Sequence, residues 1–352
     1  MNANPTIHDV AACAGVSIST VSRALRGTGY VNAEKREQIL RVAMELGYVP
    51  HAGAQGLRTQ RSGVIGVVLG DLGNPHTATL ANSIQRYLGE RGYAAVFVSV
   101  ASDGDAMEQR ALQTMLRQRP DGLIVATLQT RMSDHLLQQA CSAGLPAILI
   151  GRALAGSNVD SISSNYQRGS ETLTDYLLEL GHRRIAFIGA ALSEAEHVGR
   201  LRGYLASMRR ARIKVRPAWV IGEERPGRPY YPTSLTGFRA AKRLLQLPSR
   251  PTAIMARNDV TAIGAIQAIK EAGLSVPGDI SVTGFDDIPL AGFIAPALTT
   301  MSQPTEKEGE LAAEFLLGRL ERPEEVIAPR ALVLECSLIV RASTAPAASG
   351  KA

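Results

Sequence analysis

From Gly63 onward the chain alternates short, uninterrupted apolar runs with amphipathic stretches of helical period, and this alternation restricts the fold more than any other feature. The apolar runs are 64–69, 95–100, 122–126, 147–150, 185–188, 219–221, 253–256 and 280–283. Helical stretches such as 77–91, 106–117, 166–180 and 260–272 lie between them. Strands without polar alternation must be covered on both faces, which helices linking parallel strands provide. Roughly 280 residues of this pattern exceed one small sheet, so two similar lobes are expected.

The first 48 residues follow a different rule and read as three short helices. Thr6-Ile-His-Asp9 has the form of a capping box, followed by an apolar face of Ile7, Val10 and Ala11. Gly15 breaks this helix, and Ser17 is placed to cap a second one that carries Val21, Ala24 and Leu25. Gly27-Thr-Gly29 ends the second helix; a third follows Asn32, with Ile39, Val42, Ala43 and Leu46 inward, and Gly47 closes it. A helix, a turn and a second helix make a helix-turn-helix, whose second helix can enter the major groove of DNA. Through Ser62 seven basic residues face four acidic ones, a local excess within the net charge of +6. Such a bias suits phosphate neutralisation with counterion release, although a solvated basic surface looks the same.

Residues 50–61, PHAGAQGLRTQR, lack apolar periodicity and read as a linker in which 54–58 can form one helical turn. The Ala/Pro/Gly-rich end after Ser343 is expected to be disordered, and without apolar heptads it carries no coiled coil. Cys13, Cys141 and Cys336 lie too far apart for a disulfide framework or zinc site and are expected as buried small apolar residues. No Gly-x-Gly-x-x-Gly follows an early strand, and no phosphate loop, zinc cluster or nucleophile motif is present, so neither an enzyme nor a cofactor or metal is expected. No apolar run reaches membrane-spanning length and no secretory signal is legible, so the expectation is a cytoplasmic protein away from membranes.

Residues 6–11 (TIHDVA) and 14–25 (AGVSISTVSRAL) resemble the headpiece of the lactose-repressor family, as do 31–36 (VNAEKR) and 46–50 (LGYVP). The resemblance runs on to about Ser343 through 71–75 (DLGNP), 180–189 (LGHRRIAFIG), 199–204 (GRLRGY), 256–259 (ARND), 284–287 (GFDD), 296–300 (PALTT) and Gln303-Pro304. It implies an α/β protein: a three-helix helix-turn-helix headpiece (1–49), a hinge (50–62) and a two-lobed, periplasmic-binding-protein-like core with parallel sheets. The amino-terminal lobe is expected over 63–163 and 304–323, the carboxy-terminal lobe over 164–303 and 324–343, and the disordered tail over 344–352. A solute-binding component of a transporter shares such a core, but the DNA-reading segment and the missing signal weigh against that alternative.

By the same resemblance, Ile18, Ser19 and Arg23 face base edges. Arg23 can present its guanidinium bidentately to guanine, worth about 1–3 kcal/mol of discrimination, while Ile18 can only meet a thymine methyl or exclude bases by shape. Ser17, Thr20 and Ser22 fit phosphate contacts or caps, and Thr6, Ile7, His8, Tyr30 and Asn32 complete the headpiece's DNA-binding set. Ala54, Leu57 and Arg58 match the family's hinge, with Leu57 as the minor-groove wedge; Gly56 lowers helix propensity there. One headpiece reads too few base pairs, so a homodimer on a near-palindromic operator is expected.

For a small-molecule effector between the lobes, the resemblance points to Arg200, Asp286 and Asn258, with Asp259 as cap of the following helix. His76 and Thr77 stand where relatives carry two aromatic residues, which disfavours a planar base. Ser164 replaces a frequent aspartate, and Gly151 stands where some relatives have a carboxylate, with Arg152 after it. Tyr230 or Tyr231 in the long loop 223–234 can supply a ring, Tyr231 being the one assigned. These features leave a sugar, or an anionic sugar acid, as the expected effector. The operator sequence, the regulated genes and whether the effector releases or promotes binding are not legible.

Overall fold

The computed structural model describes residues 5–26, 29–48, 61–100, 105–126, 131–154, 157, 159–192, 198–225, 228–229, 233–322 and 328–347. The chain divides into two compact units, Met1–Gly63 and Val64–Ala352. In the first, α1 (Ile7–Ala14), α2 (Ile18–Arg26) and α3 (Ala33–Glu45) surround a core of Val10, Ala11, Ala14, Val21, Ala24, Ile39 and Ala43. The Asp9 carboxylate accepts from both the amide and the hydroxyl of Thr6, holding the start of α1. Gly15 ends α1 in the left-handed region (φ 62°), where a side chain is strained. Ser17 Oγ accepts from the Thr20 amide at 3.3 Å and Asn32 Oδ1 from the Glu34 amide at 2.9 Å, so both expected caps are made.

The second unit contains two parallel sheets. The first has six strands, β1 (Val64–Leu69), β2 (Ala94–Ser99), β3 (Gly122–Ala126), β4 (Ala147–Ile150), β5 (Asp160–Ser164) and β13 (Ala331–Leu334), in the order β13-β5-β4-β3-β1-β2. On one face lie α4 (Pro75–Gly89) and α11 (Thr305–Glu321); on the other lie α5 (Asp105–Arg117) and α6 (Arg131–Ser142). The second sheet is β11-β10-β6-β7, built from β6 (Ile185–Ile188), β7 (Val220–Ile221), β10 (Ala253–Ala256) and β11 (Ser281–Thr283), while β8 (Glu223–Arg225) and β9 (Arg228–Pro229) form a separate antiparallel pair. α7 (Tyr166–Glu179) and α8 (Gly199–Arg210) cover one face, α9 (Ser234–Leu245) and α10 (Asp259–Glu271) the other. Gly237 and Gly264 let α9 and α10 touch backbone to backbone: a Cβ at Gly264 stands 1.8 Å from the Ser234 carbonyl oxygen.

Several expectations need correction. Trp219 belongs to a 3-10 turn rather than to β7. β5 went unread because its sequence, DSISS, is polar, yet Asp160, Ser161 and Ser164 are all buried. The Asp160 carboxylate accepts from Arg319 Nη2 at 2.7 Å, Arg330 Nη2 at 3.1 Å and the Arg330 amide at 2.7 Å. That network fixes β13 beside β5, so 331–334 belongs to the first lobe, not the second. β14 (Ser337–Ile339) pairs with β12 (Thr300–Ser302) against the second lobe. The chain therefore crosses between lobes three times, at 164–166, 302–305 and 334–337.

The tail differs as well. The Ala347 amide donates to the Leu180 carbonyl, and the Ala345 carbonyl lies 3.0 Å from His182 Nε2, so the chain is fastened through Ala347. Cys13 is exposed, and Cys141 and Cys336 are only partly buried. Among the described residues no helix is long and apolar enough to cross a membrane, and no His/Cys/Asp/Glu group could hold a metal.

Candidate functional site

Two regions gather the expected site residues. The first is the outer face of α2. Val21 (0% exposed) and Ala24 (3%) anchor the helix inward, which turns Ile18 (41% exposed), Ser19 and Arg23 outward. Positions 18, 19, 22 and 23 share one helical face by period, and Arg23 Nε donates to the Ser19 carbonyl at 3.2 Å. Ser17 Oγ sits 2.8 Å from both Ser19 Oγ and Thr20 Oγ1, so its hydroxyl joins the start of the helix. Thr6 and His8 are exposed, Ile7 is half-buried against the core, and Tyr30 is 90% exposed. Asn32 caps α3. Ala54, Leu57, Arg58, Tyr230 and Tyr231 lie outside the described residues.

The second region lies where the three crossovers meet. Arg200, from the first turn of α8, places Nη2 3.3 Å from Asp286 Oδ1. Its guanidinium also lies over the rings of Phe285 (4.2 Å to the centroid) and Tyr166 (4.7 Å). Asp286 is buried with φ 116°, in the region that disfavours side chains, and accepts from Gln303 Nε2 at 2.5 Å. Backbone strain of this kind, held here by a buried ion pair and a buried amide, clusters at functional positions. Two polar atoms here are buried without a partner among the described residues: Arg200 Nε and Gln303 Oε1. Such orphans mark a place where a ligand or water completes the set.

From the first lobe, Ser164 Oγ donates to Glu308 Oε1 at 2.7 Å, both side chains being buried. Burial raises the Glu308 carboxyl to about 7, against the Ser164 bond and the Arg200 charge, which lower it. His76 Nδ1 lies 3.1 Å from Thr305 Oγ1. Burial lowers the His76 pKa, partly offset by the Asp286 charge, so the ring is neutral near pH 7. Thr77 is half-buried in the first turn of α4, beside His76.

Asn258 is buried at the start of α10, where its side chain has a structural task as well. Its Oδ1 accepts from the Thr261 amide at 3.0 Å, making Asn258 the cap of α10. Asp259, expected as that cap, instead accepts from the Ile288 amide at 2.8 Å and from Thr300, fastening the loop that carries Asp286. Arg152 pairs with Asp134 of α6. Sequence reasoning did not assign Tyr166, Phe285, Gln303, Thr305 or Glu308. A signal for Glu308 existed: it sits on the stripe Thr305, Gly309, Ala312, Ala313 and Leu316 that α11 turns inward, where a carboxylate is out of place.

Comparison with known proteins gives these geometries a context. Residues 6–51 match the model of bacterial regulatory proteins of the lacI family, and residues 174–344 match a periplasmic binding protein-like domain. The ribose operon repressor of Escherichia coli K12 is 35% identical over 320 residues, covering 90% of this chain and 94% of that protein. The crystal structure of the lac repressor dimer bound to operator and an anti-inducer matches with TM-score 0.81 and 29% identity, covering 97% of this chain and all of that one. A LacI family transcriptional regulator from Enterococcus faecium with bound ribose matches with TM-score 0.69 and 27% identity, covering 80% of this chain and 99% of that one.

Proposed function

The chain belongs to the lacI family of bacterial regulatory proteins, and from that premise we propose that it is a sequence-specific transcription repressor whose operator affinity is set by a small sugar held between its lobes. The observation that carries this reading is the outward face of α2: Ile18, Ser19 and Arg23 stand free of the core that Val21 and Ala24 anchor. A short helix presenting one arginine, one hydroxyl and one branched apolar side chain suits base edges in the major groove. Thr6, Ser17, Thr20 and Ser22 are assigned to the phosphate flanks, and Leu57 to the minor-groove wedge. A protein with this ligand works in the cytoplasm, beside the chromosome, and is no enzyme.

The effector site is assigned to Arg200, Asp286, Gln303, Ser164 and Glu308, with His76 and Thr77 at its rim. The ribose-bound relative supports a sugar there. An operator of two half-sites requires two copies of the chain, as in the related lac repressor dimer. The surface we assign to the second copy is the apolar groove of Leu235, Phe238, Ile263, Ile266 and Ile294, formed by α9, α10 and the segment after β11. Effector that favours one arrangement of the lobes shifts the dimer between operator-competent and incompetent states. The coupling is reciprocal, so operator must change effector affinity by the same factor.

Selection of duplexes from a random pool by the full chain, with and without D-ribose, tests the reading. Enrichment of a near-palindromic sequence that ribose or another aldose alters is the expected result. A pool that stays random under every condition refutes it.

A further inference from the structure

Among the described residues, the cleft offers more hydrogen-bond acceptors than it has donors to fill them. Glu308 is 1% exposed, and Ser164 supplies the hydrogen bond to its Oε1. An ionised carboxylate accepts at about four positions, so the Ser164 hydroxyl and backbone amide leave part of that capacity open. Gln303 Oε1 is a further buried acceptor without a partner. The guanidinium nearby is already engaged by Asp286 and lies over the rings of Phe285 and Tyr166. Two carboxyl groups thus stand beside one guanidinium, whose Nε is the orphaned donor.

We propose that Glu308, positioned by Ser164, is the specificity-determining residue of the cleft: it selects an uncharged polyhydroxy ligand that donates a hydroxyl to it, and excludes a ligand with a carboxylate or phosphate on that side. The inference rests on the effector reading above and narrows it. An anion entering here meets Asp286 and Glu308, and the cation shown beside them among the described residues, Arg200, is already paired with Asp286, so like-charge repulsion adds to desolvation. A sugar hydroxyl meets an acceptor that is already dry and oriented. Each such charge-assisted bond is worth roughly ten- to a hundredfold in affinity.

The pairing also couples binding to protons. Burial holds Glu308 near 7, and a donated hydroxyl stabilises its ionised form, so sugar affinity rises between about pH 6 and 8. The other titratable or charged groups facing it are Arg200 from α8, Asp286 after β11, His76 from α4, Tyr166 from α7 and Cys336 between β13 and β14. Burial lowers His76, raises Tyr166 and raises the Cys336 thiol to about 11, so these three stay neutral between about pH 7 and 8.

The test titrates the full chain with D-ribose, D-glucose and D-galactose, each beside its aldonate, for wild type, Glu308→Gln and Glu308→Leu. At least one sugar is expected to bind, with its aldonate at least tenfold weaker. Glu308→Leu should weaken the sugar roughly ten- to a hundredfold without lowering the melting temperature of the ligand-free core. The isosteric Glu308→Gln should keep part of the affinity and flatten its pH dependence. An aldonate that binds as tightly as its sugar, or a Glu308→Leu variant with unchanged Kd, overturns the inference while leaving the effector site in place. Binding of neither sugars nor aldonates to wild type overturns the sugar reading beneath it.

Discussion

Replacing Ile39 by alanine removes the largest buried side chain of the headpiece. Of the seven buried core residues in that unit only Val10, Val21 and Ile39 exceed alanine, and Ile39 is 0% exposed. Truncation of a buried isoleucine costs about 2–5 kcal/mol, the upper part applying where neighbours cannot collapse into the space. A unit of about 60 residues at roughly 0.05–0.15 kcal/mol per residue holds about 3–9 kcal/mol, so the loss is a large share of the whole. At about 4–8 °C per kcal/mol, the headpiece midpoint should fall by roughly 10–40 °C. Calorimetry or hydrogen exchange on the full chain should show two separable transitions, with the core's unmoved and its effector binding intact while operator binding is lost on warming. Ile39→Val should cost only about 0.5–1.5 kcal/mol. Leu40→Ala and Met44→Ala, at side chains 46% and 80% exposed, should stay within about 0.5 kcal/mol of wild type. If Ile39→Ala left the headpiece transition in place, or moved both transitions together, the picture of a small core folding on its own account would be wrong.

Other changes separate the remaining parts. Arg23→Ala should relax base preference at one operator position by about 1–3 kcal/mol, whereas Lys35→Ala should weaken all duplexes alike and reduce the salt slope by about 1; competition binding across a mutant operator panel distinguishes them. Asp160→Ala strands Arg319 without its buried partner and should cost about 3–5 kcal/mol of core stability in urea titration. Burial pulls the Asp160 carboxyl up, but Arg319 and Arg330 outweigh it and hold the folded value below normal, so this stabilisation is present above pH 4 and lost as pH falls through the folded value. His182 is lowered by burial, against its bond to Ala345, so its contribution is present above about pH 6.5 and lost as pH falls further. A core melting temperature that drops between pH 7 and 5 in wild type should drop less in His182→Gln.

The strands read as apolar runs recur almost residue for residue, because a strand covered on both faces must be apolar throughout and little else in the sequence looks like that. The headpiece was legible for the same reason on a smaller scale: caps at Thr6, Ser17 and Asn32 and the 3.6-residue spacing of Val10, Val21 and Ile39 are local signals. Arg200 and Asp286 were reached through resemblance, and the structure brings them to 3.3 Å across 86 residues of chain. Asn258, reached the same way, caps α10 through its Oδ1, a bond that leaves its side-chain NH2 uncommitted.

Periodicity, capping and apolar runs act over a handful of residues, so they determine the helices, most strands, the two-lobed parallel architecture and the outward face of the second helix. The polar strand β5, the return of 331–334 to the first sheet and the fastening of the tail to His182 depend on partners more than 160 residues away. The same holds for the meeting of Ser164 with Glu308, 144 residues apart. Burial turns that glutamate from a surface charge into an acid held near 7, facing an arginine and an aspartate, and burial is a property of the packed chain that no local window contains.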